Sequence, residues 1–425
     1  MTRWPRRLQV ALVMCLGVGA ACESAPTPSP FTEADSLVAA WVNEERIPGA
    51  VLRVEQRGEL VFERAYGAAE LYSYGDGQYE EPGGLARLDD PRPMTPATVF
   101  DLASVTNVMA PTLAIMVLVD RGDVDLDAPV SNYLADFVGE GRDDITPRHL
   151  LTHTSGMPQW VPTYYHASNP DQAYAYVRTL PLEWPVGEGR HYSDLGFMLL
   201  GRIVEAVDGR PLDDFVASAV HGPLGLTDTG FRPTTRRGTA TSAAGASGTA
   251  FAATSHGNPF ERRMVHDPSF GYTIVGDPTS WDAWRERTLL GEVNDGNAYH
   301  AFGGVAGHAG LFSTARELSV LLSLILNEGE HGGQRYLSPE TVRGFLEPAL
   351  DGQALGWQLP AYAPRGSVGH TGFTGTFVLG VPGQALSIVL LTNRQNAGVD
   401  AETQYPDIAP LQRAVTRSIA GASQN

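Results

Sequence analysis

The sequence predicts an α/β fold: an antiparallel sheet flanked by helices, with an inserted, mainly helical subdomain. Two observations predict it. Strand-like runs lie near both ends of the chain, while helical periodicities and Pro/Gly loops fill the middle; strands so far apart pair only if the two ends return to one layer. The length, 425 residues with 43% hydrophobic, supplies a sizeable core and contains no run of about 18 apolar residues that would mark a membrane span.

Residues 1–21 read as a signal peptide. Arg3, Arg6 and Arg7 precede a short apolar stretch, Leu8 to Ala21, that ends in small residues, the pattern of a cleaved leader. Cys22 follows Gly19-Ala20-Ala21, which resembles a bacterial lipobox, so lipidation at Cys22 is expected; ordinary cleavage nearby is the alternative. Residues 22–30 then form a Ser/Pro-rich tether. The chain is expected to be exported and held in the cell envelope, in the periplasm or at the cell surface, with the lipid as its contact to the membrane. Cys15 lies inside the leader, which leaves no pair for an internal disulfide.

The main domain spans 31–421. Phe31 to Glu45 has helical periodicity, and Ala50 to Val54 and Glu59 to Tyr66 alternate around Arg57-Gly58 like a β-hairpin at a sheet edge. Ser73 to Thr95, rich in Gly, Pro and acids, reads as a long loop. Thr106 to Arg121 is apolar over helix length, with Pro111 expected to kink it or shift its start. Phe197 to Val207 is helical, and Thr234 to Ala250 is a Thr/Ala/Gly/Ser surface tract. Gly375 to Val381 and Leu386 to Thr392 are β-rich runs around Pro382-Gly383, and Pro410 to Ala420 closes the chain as a helix. The α/β layer is therefore expected from about 31–110 and 300–421, with the helical subdomain at about 111–299.

All 30 basic residues are arginine; the chain has no lysine. That excludes a P-loop lysine, a kinase strand lysine, a Schiff base and a lysine general base. The formal charge of −18 argues against nucleic acid as a partner, since that binding relies on a basic surface.

Ser104, placed before an apolar helix, suits an N-cap whose hydroxyl accepts a free backbone N–H. The same position suits a nucleophile, because the positive end of the helix dipole stabilises charge that develops during acyl transfer. Its company favours the second role. Phe100-Asp101-Leu102-Ala103-Ser104-Val105-Thr106, Ile145-Thr146-Pro147-Arg148-His149-Leu150-Leu151-Thr152-His153-Thr154-Ser155-Gly156, Tyr192-Ser193-Asp194-Leu195-Gly196, Gly304 to Phe312, His370-Thr371-Gly372 and Leu391-Thr392-Asn393-Arg394 occur in this order. The series resembles the β-lactamase-related serine hydrolases, which include class C β-lactamases, D-alanyl-D-alanine carboxypeptidases and esterases, over nearly the whole mature chain.

The resemblance implies a β-lactamase/transpeptidase-like fold, with Ser104 as acyl-accepting nucleophile and Tyr192 as the proton-relaying phenol. It also implies His370-Thr371-Gly372 as the strand lining the cleft, and the backbone N–H groups of Ser104 and Phe373 as an oxyanion hole. Asp194, Thr371 and Gly372 become substrate-contacting positions. The substrate expected is a small ester or a D-alanyl-type peptide, with no cofactor and no metal.

Two departures stand out. The family's nucleophile motif is Ser-x-x-Lys, and Asn107 occupies the lysine position; an amide cannot take a proton near neutral pH. Tyr192 with a lowered pKa, or His370 reaching the hydroxyl directly or through water, are the candidate replacement bases. In the cleft, His370 stands where many β-lactamases place Lys to hold a substrate carboxylate, and Asp194 where class C enzymes carry Asn, so an acidic cleft would repel a carboxylate-bearing antibiotic.

Other constellations are weaker. His149 and His153 have zinc-like spacing but lack the Glu of His-Glu-x-x-His, Gly304 to Gly310 lacks a dinucleotide-binding context, and Asn294-Asp295-Gly296-Asn297 reads as a turn. Two functions remain: a hydrolase weakened at Asn107, catalytic through Ser104, Tyr192 and His370, or a pseudoenzyme that binds cell-wall peptide or a protein partner in the same cleft.

Overall fold

The computed structural model describes residues 1, 30–75, 85–236, 250–272 and 276–422. The leader, Cys22, the tether and most of the 234–250 tract lie outside these residues.

Helix α1 (Pro30–Asn43) leads into strands β1 (Gly49–Gln56), β2 (Glu59–Ser73) and β3 (Ala86–Pro93). Helices α2 (Val105–Met109), α3 (Pro111–Asp120), α4 (Asp194–Asp208), α5 (Pro259–His266) and α6 (Ala315–Leu326) belong to the middle of the chain. Strands β4 (Val368–Thr371), β5 (Thr376–Val381) and β6 (Leu386–Thr392) and helix α7 (Ala409–Ala422) close it. The strands form one antiparallel sheet in the order β4-β5-β6-β1-β2-β3.

Two expectations need correcting. The β1–β2 hairpin is not the sheet edge, because β6 returns to pair with β1 (Ala50 opposite Thr392). Nor is 73–95 all loop: Ala86–Pro93 pairs with β2 as the outer strand. Its sequence, ARLDDPRP, shows why it escaped a strand pattern. An edge strand has N–H groups without partners in the sheet, so it tolerates proline and charge.

The period-two alternation of the inner strands sends side chains to two cores. Ala50, Leu52, Val54, Phe377, Leu379, Ile388 and Leu390 pack with α1 and α7, whereas Val51, Val378, Val389 and Leu391 join the large core shared with α2, α3, α4 and α6. With both faces covered, β5 and β6 are buried at every position and read as continuous apolar runs. Pro111 does more than kink the apolar segment: it starts α3 as a separate helix, with Ala110 out of helical geometry (φ −129, ψ −83). Proline fits the first helical position, where no N–H is needed.

A second small sheet carries the segment before Ser104. Leu311–Ser313 pairs with Phe100–Asp101 on one side and with Gly230–Phe231 on the other. Glu317, in the first turn of α6, anchors it. Its fully buried carboxylate accepts the N–H of Thr227 (2.9 Å) and of Asp228 (3.0 Å) and the Thr229 hydroxyl (2.6 Å). Removing a buried acceptor leaves several donors unpaired. Glu317→Ala is expected to cost about 3 kcal/mol of stability, read as a lower urea midpoint; a loss below about 0.5 kcal/mol, ordinary for a surface substitution, would contradict this role.

Candidate active site

Ser104 sits in the turn that enters α2, and every residue before it is tied down. Leu102 N–H donates to the Leu311 carbonyl (3.0 Å) and Ala103 N–H to Asp101 Oδ1 (2.9 Å). Ala103 adopts φ +45, a left-handed conformation that costs a residue with a Cβ of order 1 kcal/mol or more. The β4–β5 turn grips the same segment: the Thr374 hydroxyl donates to the Asp101 carbonyl (2.7 Å) and the Thr376 hydroxyl to the Leu102 carbonyl (2.8 Å). Only glycine fits at 372, since a Cβ there would lie 2.1 Å from Thr376 Oγ1 and 2.4 Å from the Leu102 carbonyl.

The Ser104 side chain makes no cap bond to its own helix, so the N-cap expectation fails. It is directed to the Tyr192 phenol instead. Asn107, fully buried one turn on, donates Nδ2–H to the same phenol oxygen at 2.9 Å, while its Oδ1 has no hydrogen-bond partner among the described residues. Neither the Ser104 N–H nor the Phe373 N–H is donated to a protein acceptor among the described residues.

Electrostatics disfavour a tyrosinate. Burial raises the Tyr192 pKa, as does the Asp194 carboxylate, and the hydrogen bonds from Ser104 and Asn107 and the charge of Arg190 lower it only in part. Tyr192 therefore does not become a base through a lowered pKa. His370 is buried and donates Nδ1–H to the Thr371 carbonyl (2.8 Å). Burial lowers its pKa to about 4, so Nε2 is a neutral acceptor, and it has no partner. Its contact with the site is to the Tyr192 ring (centroids 6.2 Å apart), and direct hydrogen bonding to Ser104 is not realised. Thr371 and Gly372 contribute the strand end but do not line the cleft.

The cleft encloses about 280 Å³ and is lined by Ser104, Tyr192, Asp194 and Phe373, by Trp160, Phe260, Glu261 and Tyr272, which no motif had singled out, and by Asp295 and His308, which lie in the 294–297 stretch and the 304–312 motif. His308 Nε2–H donates to Asp295 Oδ1 (2.9 Å). Burial pushes the His308 pKa down, but the Asp295 carboxylate outweighs it, so the net shift is upward. The 294–297 stretch read as a turn is thus a cleft wall. His153, whose spacing to His149 resembled a zinc pair, instead takes the Ser193 N–H on Nδ1 (3.1 Å) and packs on the Tyr192 ring (4.3 Å).

The fold is the β-lactamase/transpeptidase fold. It superposes on EstCE1, a hydrolase with promiscuous acyltransferase activity (TM-score 0.63, 20% identity, 92% of this chain and 98% of that one). It also superposes on a class C beta-lactamase from Rhodobacter sphaeroides (TM-score 0.62, 21% identity, 92% and 99%). In sequence the chain is 31% identical over 386 residues to an N-acetylmuramyl-L-alanine amidase of Bacillus subtilis (strain 168), covering 85% of this chain and 80% of the relative. The family described as Beta-lactamase matches residues 34–412: the chain belongs to the beta-lactamase family.

Asp194 offers a pH test. Burial raises its pKa to about 7, so between pH 4 and 7 the folded chain keeps a proton that the unfolded chain has lost. Stability from this group is then present below its ordinary pKa and lost as pH rises to about 7. Asp194→Asn is expected to remove that loss, gaining on the order of 2 kcal/mol over wild type at pH 7 and little at pH 4. Urea unfolding across this range measures it, and parallel curves for the two proteins would refute the assignment.

Proposed function

We propose that the chain is an exported serine hydrolase, anchored through lipid on Cys22, that takes an ester or a small D-alanyl-type peptide onto Ser104 and hydrolyses it slowly. The observation that carries this reading is the convergence of the Ser104 hydroxyl, the Tyr192 phenol and the Asn107 amide at a cleft, beside two backbone N–H groups without acceptors.

The chemistry follows from a phenol that stays neutral. Ser104 Oγ attacks the acyl carbon and its proton passes to the Tyr192 oxygen as the phenol gives its own proton to the leaving group. The bond to the leaving group breaks and the acyl group remains on Ser104. Water then repeats the exchange in reverse. Tyr192 carries no net charge at any stage, which suits a site that resists a tyrosinate. The N–H groups of Ser104 and Phe373 receive the developing oxyanion, a contribution of about 10² to 10³ in rate per donor. Without the lysine amine, the acceleration of about 10² to 10⁴ typical of general-base catalysis is forgone. Turnover is slow for that reason, and activated esters, whose leaving groups need the least proton transfer before the bond breaks and take up the relayed proton as they depart, are the best substrates. The amidase relative is consistent with a peptide or amide as the natural acyl donor.

Wild type mixed with para-nitrophenyl esters, a D-alanyl-D-alanine peptide and a penicillin should release product from the esters and show an acyl adduct by intact mass, and Ser104→Ala should show neither. The absence of both in wild type would favour the binding-only reading, in which Asn107 has silenced the cleft. Asn107→Lys is expected to raise ester turnover by about 10² or more, measured as kcat; an unchanged kcat would mean that the missing amine is not what limits the rate.

A further inference from the structure

The cleft carries more carboxyl groups than its own cations pair, and burial raises the pKa of two of them, Asp194 to about 7 and Glu261 likewise upward, because their ionised forms lack a counter-charge there. Three carboxyl groups line it: Asp194, Glu261 and Asp295. His308 pairs with Asp295. Asp194 has a fully buried Oδ1 with no hydrogen-bond partner among the described residues. Glu261, 9% exposed, accepts the Gly296 N–H through Oε2 (3.0 Å) and has the Tyr164 phenol beside its carboxyl group.

The nearby cations are already committed. Arg285, which acts on Glu261 through space, spends its donors on Asn258 Oδ1 and the carbonyls of Val293 and Asn294. Arg190 lies on the Tyr192 side, bound to Gln353 Oε1. His308 has one more buried ring nitrogen, Nδ1, also without a partner among the described residues.

A second feature points to the same kind of ligand. Trp160 and Tyr272 meet edge to face (5.4 Å, 73°) and Phe260 packs on Phe373 (4.9 Å) along the same cleft. Aromatic faces attract cations through their quadrupoles, more strongly when the site is desolvated. A cation entering beside such buried carboxyl groups favours their ionised form and supplies the counter-charge that water no longer provides.

Resting on the hydrolase reading of Ser104, we propose that the cleft selects acyl donors bearing a cationic amine near the scissile carbonyl, held by Asp194 and Glu261 against the aromatic wall. A ligand carboxylate in the same place meets like charge and is rejected. The site thus inverts the preference of enzymes that grasp a substrate carboxylate with lysine.

The test has two arms. In the first, para-nitrophenyl esters of trimethylammoniobutyric acid, of its neutral tert-butyl isostere and of glutaric acid are compared; a quaternary amine avoids attack on its own ester. Wild type should favour the cationic over the neutral ester by about ten-fold or more in kcat/KM, with the glutarate ester poorest, and Asp194→Asn or Glu261→Gln should shrink that preference toward parity. Equal use of cationic and neutral esters, or a preference kept in both variants, overturns the proposal.

In the second arm, pentylamine and pentanol are titrated into Ser104→Ala by calorimetry. The amine should bind more tightly than the alcohol, and adding Asp194→Asn should abolish the difference. No difference in Ser104→Ala counts against the proposal. If wild type turns over no ester while the amine still binds through Asp194, the hydrolase reading fails and the cation site stands. If esters turn over without charge preference, the reverse holds.

Discussion

The Asp101 carboxylate holds the site together. One oxygen takes the N–H of Ala103 and the other the N–H of Asn294 (2.6 Å), so a single buried side chain joins the turn that presents Ser104 to the wall that carries Asp295. Burial raises its pKa to about 6, and the two backbone donors work against that rise. Without it, the left-handed Ala103 would lose the acceptor that offsets its strain, and the serine would no longer be set against the opposite wall. Thr374 and Thr376 complete the clamp from the sheet side by binding the carbonyls of Asp101 and Leu102. Ser104 is thus positioned by groups from three distant segments, which leaves its own hydroxyl free of structural duty.

Around that fixed point the proton chemistry is unusual. An ammonium one turn after the serine would favour negative charge on both the hydroxyl and the phenol. Asn107 supplies a hydrogen bond in its place, and a neutral donor stabilises a tyrosinate far less than a full positive charge. Asp194 acts in the opposite direction. The arrangement conserves the shape of an acyl-transfer site while removing the charge that would drive it.

Much of the fold was legible because its signals are local and periodic. The runs at 375–381 and 386–392 match β5 and β6 almost residue for residue, and the closing helix lies where its apolar spacing placed it. The edge strand β3 was illegible because an unpaired edge relaxes the demands that make a strand recognisable. In the site, Ser104 and Tyr192 could be found through contiguous motifs, and the structure brings them together with Asn107. Glu261 could not, and although Asp295 and His308 lie in stretches the sequence singled out, their part in the site could not be read there: only the tertiary fold gathers the three on one wall. His370 illustrates the reverse: the triplet marks its place on the strand, but which nitrogen is free depends on a carbonyl, that of Thr371, which no pattern reports.

The sheet also dictates the order of assembly. β1 is finished early in synthesis, yet its partner β6 lies more than three hundred residues downstream, and α1 must await α7 to cover their shared core. Closing so long a loop costs entropy before any contact returns it, which slows folding. Until the last strand emerges, the edge of β1 has open hydrogen-bonding groups and apolar side chains exposed on both faces, a template for association with another chain. A nascent chain of this design depends on being kept apart from its neighbours until its final segment arrives.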